Sequence, residues 1–275
     1  MATTQGTFRF NGQRIAYADH GEGERTLVLI HGLLMNRHMY DQLAPEMASR
    51  GIRVITVDLL GHGASDMPFD MRAYSMSAFA DQVAALIDHL KLERPIVGGT
   101  SLGANVSLEM AARHPKAARG LFIEMPVLDN ALVAAGAIFL PIMIALRFGK
   151  VPLGMVAAFA KRIPRTHYLI DIGLDWMRRP PEASLAVLEG LFFGRTAPPR
   201  EERELIGVPA LVIGHPSDPL HPFSDCDMLV EEMPRGRLVN AESIFEWRIS
   251  PGRLDDELAD FVTEVYAEET AATAA

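Results

Sequence analysis

Apolar residues along this chain follow two patterns, and the two patterns alternate. Short continuous runs rich in β-branched residues are typical of strands buried on both faces of a parallel sheet. Stretches with an apolar residue every three or four positions are typical of helices that pack on such a sheet. The runs predict strands at 26–30, 53–57, 95–99, 118–123, 208–213 and 237–240. The helical pattern covers 39–49, 76–90, 102–113 and 254–266. We therefore expect an α/β fold with a mostly parallel central sheet and flanking helices.

The chain begins with a different pattern. Residues 8–17 alternate loosely between apolar and polar around Asn11-Gly12, a dipeptide typical of tight hairpin turns. Two short antiparallel strands are expected here.

The alternation of strands and helices stops near Asp129. Residues 131–146 are sixteen uncharged and almost all apolar residues, interrupted by Pro141 and followed by Arg147 and Lys150. A helix needs about 20 apolar residues to span a bilayer, so a helix that covers a pocket is favoured over a membrane span.

Helical sequence continues to about residue 194 without a convincing strand, and the sheet pattern then resumes. We expect residues 129–200 to form a helical cap inserted into one α/β core, which comprises 1–128 and 201–275.

Charge and composition exclude several classes of function. The chain has 26 Lys and Arg against 35 Asp and Glu, a net charge of −9, which disfavours nucleic acid and anionic membrane surfaces as partners. Cys226 is the only cysteine, which rules out an internal disulfide and sites held by several thiolates. The N-terminus lacks the pattern of a secretory signal, so a reducing, cytoplasmic location is expected. Neither a dinucleotide fingerprint nor a phosphate loop nor a metal-ligand cluster is found, so no cofactor and no metal are expected.

The strongest chemical signal is the segment 99–103, Gly-Thr-Ser-Leu-Gly. It fits Gly-x-Ser-x-Gly between a predicted strand and a predicted helix, where a sharp turn lifts a serine oxygen clear of the sheet. Ser101 is the predicted nucleophile. The helix that follows directs its free N–H groups toward an oxyanion formed during acyl transfer.

Two further segments accompany this turn: His-Gly-Leu-Leu at 31–34 and Asp-Leu-Leu-Gly-His-Gly-Ala-Ser at 58–65. With them the chain resembles the α/β-hydrolase superfamily over nearly its whole length. The resemblance implies the α/β-hydrolase fold and a capped serine hydrolase of the esterase or lactonase type. It also implies that the backbone N–H groups of Leu33 and Leu102 form an oxyanion hole. His31 and His62 are expected to be structural turn residues.

Two carboxylates are candidates for the acid that orients a catalytic histidine. Asp218 lies in the loop after the strand at 208–213 and matches the usual acid position of the superfamily. Glu124 follows the strand at 118–123, the alternative acid position of some members. Asp218 is preferred, and Glu124 could equally be a structural carboxylate.

The histidine departs from the superfamily pattern. The last 54 residues contain none, and Ser243 stands about where the imidazole is expected. Without a base a serine hydroxyl is a weak nucleophile at neutral pH, so three accounts remain open.

In the first account a histidine from another loop acts as base. His221 is the best candidate because the acid loop ends at the same edge of the sheet as Ser101, and His215 and His38 rank below it. In the second, a carboxylate with a raised pKa acts directly; the candidates are Glu246, Glu124 and Asp218. In the third, the pocket has lost its chemistry and the protein is a non-catalytic small-molecule binder or receptor.

The leading expectation is hydrolysis of a hydrophobic carboxylic ester or lactone through an acyl-enzyme on Ser101. The cap supports a hydrophobic small-molecule substrate because it has too many large apolar residues for an exposed helix pair. An apolar cap surface would also suit a homodimer. Cofactor-free lyase or oxygenase chemistry is the least favoured class.

Overall fold

A computed structural model describes residues 3–164 and 168–274 of the chain. Within them one sheet contains eight strands: β1 Thr3–Phe10, β2 Gln13–His20, β3 Thr26–Ile30, β4 Arg53–Asp58, β5 Ile96–Thr100, β6 Gly120–Glu124, β7 Ala210–Gly214 and β8 Gly236–Asn240. Their order is β1-β2-β4-β3-β5-β6-β7-β8. The pairs β1–β2 and β2–β4 are antiparallel, and all pairs from β4 to β8 are parallel. The predicted α/β class with a mostly parallel sheet is confirmed.

The described α-helices are α1 Leu43–Ser49, α2 Met76–His89, α3 Leu102–Arg113, α4 Leu132–Phe148, α5 Lys150–Ala160, α6 Tyr168–Met177, α7 Pro181–Phe192, α8 Arg200–Arg203, α9 Phe223–Glu232, α10 Glu246–Ile249 and α11 Gly252–Ala274. The helix predicted over 39–49 is divided into a 3-10 turn, Arg37–Tyr40, and α1. Sequence patterns did not predict α9. Two of the four buried residues of α9 are Asp225 and Glu232, which obscures its apolar periodicity.

The predicted hairpin joins β1 to β2. Asn11 and Gly12 have φ of +48° and +81°, the left-handed conformation that a tight turn of this kind requires at both positions.

The core has two apolar layers, one on each face of the sheet. Every residue of β3, β5, β6 and β7 is buried, which explains why these strands are continuous apolar runs. Successive side chains alternate between faces. Val28 and Ile30 pack in the layer that contains residues of α2, α3 and α9, while Leu27 and Leu29 pack in the layer of α1 and α11. Burial of each large aliphatic side chain stabilises the fold by roughly 1.5–3 kcal/mol. The strands are therefore held firmly in place, and so are the loops at their ends.

Helices α4 to α8 lie between β6 and β7 in the chain. They fall in the segment predicted to be a cap, of which residues 165–167 lie outside the described part. Asp225 of α9, fully buried, holds the start of α4: its carboxylate accepts hydrogen bonds from the backbone N–H groups of Leu128, Asn130 and Ala131 at 2.7, 3.0 and 3.2 Å.

Among the described helices no single one is long and apolar enough to span a bilayer. Helices α4 and α5 are long and apolar enough when taken together, but their axes are bent by 97°.

Candidate active site

Ser101 lies on a sharp turn between β5 and α3. Its φ and ψ are +56° and −109°, a region that non-glycine residues occupy at a cost of about 1–3 kcal/mol. Gly99 and Gly103 permit the turn because a Cβ atom on either residue would collide with the carbonyl oxygen of Ile30. The Ser101 N–H donates to the Glu124 carbonyl at 2.8 Å, and the Ser101 carbonyl accepts from Asn105 at 3.0 Å. The serine oxygen is thereby raised above the carboxyl ends of the strands.

His221 reaches Ser101 from the loop after β7. Its Nε2 is 2.9 Å from Ser101 Oγ, and its Nδ1 is 2.9 Å from Asp218 Oδ2. The carboxylate can only accept, so Nδ1 carries the proton and Nε2 is free to accept the Ser101 hydroxyl proton. The three side chains form one hydrogen-bonded chain. The link between Ser101 and His221 has the length required for proton transfer, and the link between His221 and Asp218 orients the imidazole.

The conformation of the loop itself brings Asp218 and His221 together. Ser217 has φ +62°, and Asp218 Oδ1 accepts the backbone N–H groups of Leu220 and His221 at 2.8 and 3.0 Å. Both the acid and the imidazole are about nine-tenths buried. Burial alone would raise the pKa of Asp218. The hydrogen bond and charge of His221 and the two N–H groups outweigh it and lower that pKa to about 2.

Glu124 contacts a different histidine. Its Oε1 is 3.1 Å from His215 Nε2, and its Oε2 accepts the Thr100 hydroxyl and lies 3.4 Å from Arg248. The other ring nitrogen of His215 donates to the Ser243 carbonyl at 3.0 Å. Among the described residues, the Glu124 carboxylate forms no hydrogen bond with His221 or with the Ser101 hydroxyl.

The Glu124–His215 pair is a buried ion pair beside the turn that carries Ser101. Both side chains are 1% exposed. Burial raises the pKa of Glu124, but the Arg248 and His215 charges outweigh it and lower the pKa to about 2. Burial lowers the pKa of His215, and the hydrogen bond and charge of Glu124 outweigh it, so the net pKa is raised. Sequence reasoning considered these two residues separately and missed their pairing, for which the chain carries no local signal.

The remaining candidate carboxylate and histidines contact groups away from Ser101. Glu246 is bonded to Arg253 at 2.8 Å, and His38 to Asp41 at 3.0 Å. His31 and His62 bond backbone groups in the loops after β3 and β4. His31 Nε2 accepts from the N–H of Leu59 at 3.1 Å, and His62 Nε2 accepts from the N–H of Leu34 at 3.3 Å. Burial lowers the pKa of His31 to about 4, so its ring is neutral and suits this accepting role.

The predicted oxyanion donors, Leu33 and Leu102, line one cavity together with Ser101. Leu102 is the first residue of α3, where a helix leaves its N–H groups without acceptors. Within the described part of the chain neither the Leu33 nor the Leu102 N–H is hydrogen-bonded. Both N–H groups are therefore without an acceptor inside this part of the chain.

The cavity above Ser101 has a volume of about 200 Å³. Helix α4 supplies one wall and α7 another. The apolar lining residues include Val127, Leu132, Phe139, Met143, Leu188 and Phe192. The amide of Asn105 also lines it, but that amide is bonded to Val127 and to the Thr196 carbonyl. A hydrophobic group fits this space, and none of the described side chains that line it carries a formal charge.

Among the described residues, no group of three or more His, Cys, Asp or Glu side chains could hold a metal ion.

Comparison with known proteins identifies the family of this chain and the structures that share its fold. The family model for the alpha/beta hydrolase fold matches residues 25–169, more than half of the chain. The AB hydrolase superfamily protein YisY of Bacillus subtilis is 28% identical over 232 residues, which cover 79% of this chain and 81% of that protein. A pimeloyl-(acyl-carrier protein) methyl ester esterase of Neisseria meningitidis is 43% identical over 97 residues, but these cover only 35% of this chain and 34% of that enzyme. The crystal structure of the enol-lactonase from Burkholderia xenovorans LB400 superposes with a TM-score of 0.75 at 22% identity, covering 94% of this chain and 100% of that chain. At that identity the likeness concerns the fold.

Proposed function

Because this chain belongs to the alpha/beta hydrolase family, we propose that it is a serine hydrolase that cleaves a hydrophobic carboxylic ester or lactone. Relatives and structural neighbours named as esterases and lactonases support hydrolase chemistry in general. The observation that carries the specific proposal is the hydrogen-bonded chain from Asp218 through His221 to Ser101, which opens on an apolar cavity.

In the acylation step His221 Nε2 takes the Ser101 hydroxyl proton while Oγ attacks the substrate carbonyl carbon. The carbonyl oxygen becomes an oxyanion and accepts the N–H groups of Leu33 and Leu102. His221 then gives its proton to the departing alkoxide, and the acyl group remains on Ser101 as an ester. With a lactone the departing oxygen stays tethered to the acyl chain.

Deacylation repeats these steps with water as the nucleophile. His221 removes a proton from water, the hydroxide attacks the acyl-enzyme, and the proton returns to Ser101 Oγ. The products are a carboxylic acid and an alcohol, or one hydroxy acid from a lactone. Throughout, Asp218 holds the imidazole tautomer and stabilises its charged form.

The proposed base comes from the acid loop, and so the absence of a histidine after β8 does not leave Ser101 unassisted. Direct carboxylate catalysis is less favoured because Glu124 and Glu246 are each bonded to a basic partner and both have lowered pKa values. A carboxylate with a lowered pKa is a poor base near pH 7.

We further propose that residues 129–200 cap the site and that the apolar cavity holds one side of the ester. A volume of about 200 Å³ is below the usual range of ligand pockets, roughly 300–1,000 Å³, which favours short or medium substrates.

Fluorophosphonate labelling of the intact protein, with peptide mapping, tests the nucleophile. An adduct on Ser101 that is absent from Ser101→Ala is expected. A folded protein that takes no label would favour the alternative function, a small-molecule binder without catalysis.

A pair of histidine variants tests the base. His221→Ala should lower kcat by about 10⁴–10⁶-fold. His215→Ala should cost far less, because the ring nitrogens of His215 are hydrogen-bonded to Ser243 and Glu124 and not to Ser101. Near-native turnover in both variants would remove His221 from the mechanism.

A further inference from the structure

Helices α4 and α5 expose their large apolar side chains and bury few of them. The structure describes every residue of α5, and of these only Ala157 and Ala160 are buried; of α4 only Met143 and Leu146 are. The exposed large apolar side chains of the two helices are Leu132, Val133, Ile138, Leu140, Ile144, Phe148, Val151, Met155, Val156 and Phe159. These ten are more than half of the nineteen such side chains among the described residues. Exposure concentrated in this way marks an interaction surface.

The charge around these helices is opposite to that of the protein. Residues 131–170 contain no Asp or Glu but several Lys and Arg, although the whole chain carries −9. Lys150, Lys161 and Arg162 are exposed, and among the described residues none of the three forms an ion pair. Arg147 bonds to Glu189 at 2.8 Å. We call the ten exposed apolar side chains, with Lys150, Lys161 and Arg162, the apolar-basic face.

The composition of this face suits a lipid surface better than a protein. Between 132 and 160 the only side chains able to form a hydrogen bond are Arg147 and Lys150, whereas protein interfaces carry about one hydrogen bond for each 100–200 Å². Helices that lie in a membrane interface combine large apolar side chains with basic residues at their edges. Helix α5 has this form because Lys150 begins it, Lys161 and Arg162 follow its end, and the exposed apolar residues lie between.

A second copy of the chain is a poorer occupant. A symmetric dimer through this face would bring Lys150 and Lys161 of both copies together, and residues 131–170 supply no acid to neutralise them. Anionic lipid headgroups supply that charge.

The cavity opens beside the same surface. Leu132 of α4 and Phe192 of α7 both line the cavity and are 47% and 48% exposed. Leu132 thus belongs both to the cavity lining and to the apolar-basic face, so the cavity and the face meet at the start of α4.

We infer that the apolar-basic face docks on an anionic lipid surface. The helices lie in the interface with α5 held at both ends by headgroup phosphates, and they do not cross the bilayer. The mouth of the cavity then faces the hydrocarbon boundary. That the ester is drawn from the bilayer rests on the proposed function, but docking itself does not.

Flotation of the purified full chain with vesicles tests this inference without any turnover. The vesicles are phosphatidylcholine alone, or phosphatidylcholine with phosphatidylglycerol as roughly a third of the lipid. Binding is expected with the anionic vesicles and should weaken at high salt. Lys150→Ala with Lys161→Ala should reduce partitioning by roughly 5-fold for each cation removed. Phe148→Ser with Phe159→Ser should reduce it further.

Phe69→Ser with Leu205→Ser is the matched control, since both side chains are exposed outside this face. It should bind like the wild type, and thermal midpoints should show that all variants are folded. Failure to bind either vesicle, or equal binding by every variant, would overturn the inference. So would sedimentation showing a dimer that Phe148→Ser with Phe159→Ser dissociates, because a second copy would then cover the face.

Discussion

The substitution Asp218→Asn separates the two acids that the sequence left open. In the wild type, Oδ1 of Asp218 accepts two backbone N–H groups and Oδ2 accepts the Nδ1 proton of His221. Asparagine has one acceptor oxygen, which the two backbone N–H groups hold. Its NH₂ group then faces His221 Nδ1, and a donor opposite a donor is unfavourable. The imidazole is expected to move its proton to Nε2, where it can no longer accept from Ser101.

The expected loss is large because the wrong tautomer leaves the serine without a base. Loss of this kind amounts to about 10⁴-fold in kcat, or about 5.4 kcal/mol of transition-state stabilisation. Hydrolysis of p-nitrophenyl butyrate should show this loss in kcat with little change in KM.

Glu124→Gln is the control, since Glu124 bonds His215 and not His221. Its kcat should stay within about 10-fold of the wild type, provided that circular dichroism shows a native fold. The reasoning is refuted if Glu124→Gln loses the larger factor while Asp218→Asn remains active.

Three further predictions concern stability and the cavity. The folded pKa of Glu124 lies at about 2, below its ordinary 4.5, so its stabilisation is full above 4.5 and is lost as pH falls toward 2. Urea unfolding should then show the wild type losing about 2 kcal/mol more between roughly pH 5 and 3 than the double variant Glu124→Gln with His215→Gln, and parallel losses would contradict this. Both residues are replaced because burial would lower the pKa of a His215 left without Glu124, and that histidine would itself reduce stability in acid. Asp225→Ala leaves three backbone N–H groups at the start of α4 without their acceptor, so the free energy of unfolding should fall by about 3 kcal/mol. The control Asp227→Ala, at an exposed position of the same helix, should leave the free energy of unfolding nearly unchanged. Gly136 lines the cavity, and a Cβ there meets nothing within 4 Å; Gly136→Phe should lower kcat/KM for an octanoyl ester relative to a butanoyl ester by roughly 10-fold. Gly173→Phe, at an exposed position with equal space, should leave that ratio unchanged.

Local sequence patterns were sufficient to predict the parallel strands of the sheet and the turn that carries Ser101. Continuous apolar runs predicted the parallel strands because both faces of those strands are buried. The segment 99–103 predicted the turn that carries Ser101 because only glycine fits against the Ile30 carbonyl at positions 99 and 103. These features depend on neighbours in sequence or on burial, and an amino-acid pattern records both directly.

Tertiary structure alone decided which side chains meet. His221 and His215 follow the same strand, yet one contacts Ser101 and the other Glu124. The difference arises from the loop after β7, whose path depends on a left-handed Ser217 and on the two backbone N–H groups that Asp218 accepts. Apolar periodicity carries no information about such a path.

Charge shows the same limit. The net charge of −9 disfavours anionic surfaces as partners. The proposed lipid docking depends instead on local charge, because a net charge averages over the whole surface. The structure separates a basic, apolar pair of helices from an acidic remainder. In α5 the buried residues are alanines, and most of the large apolar side chains are exposed. Which face of an almost wholly apolar helix meets solvent is decided by what packs beneath it, and the helix sequence by itself does not specify that partner.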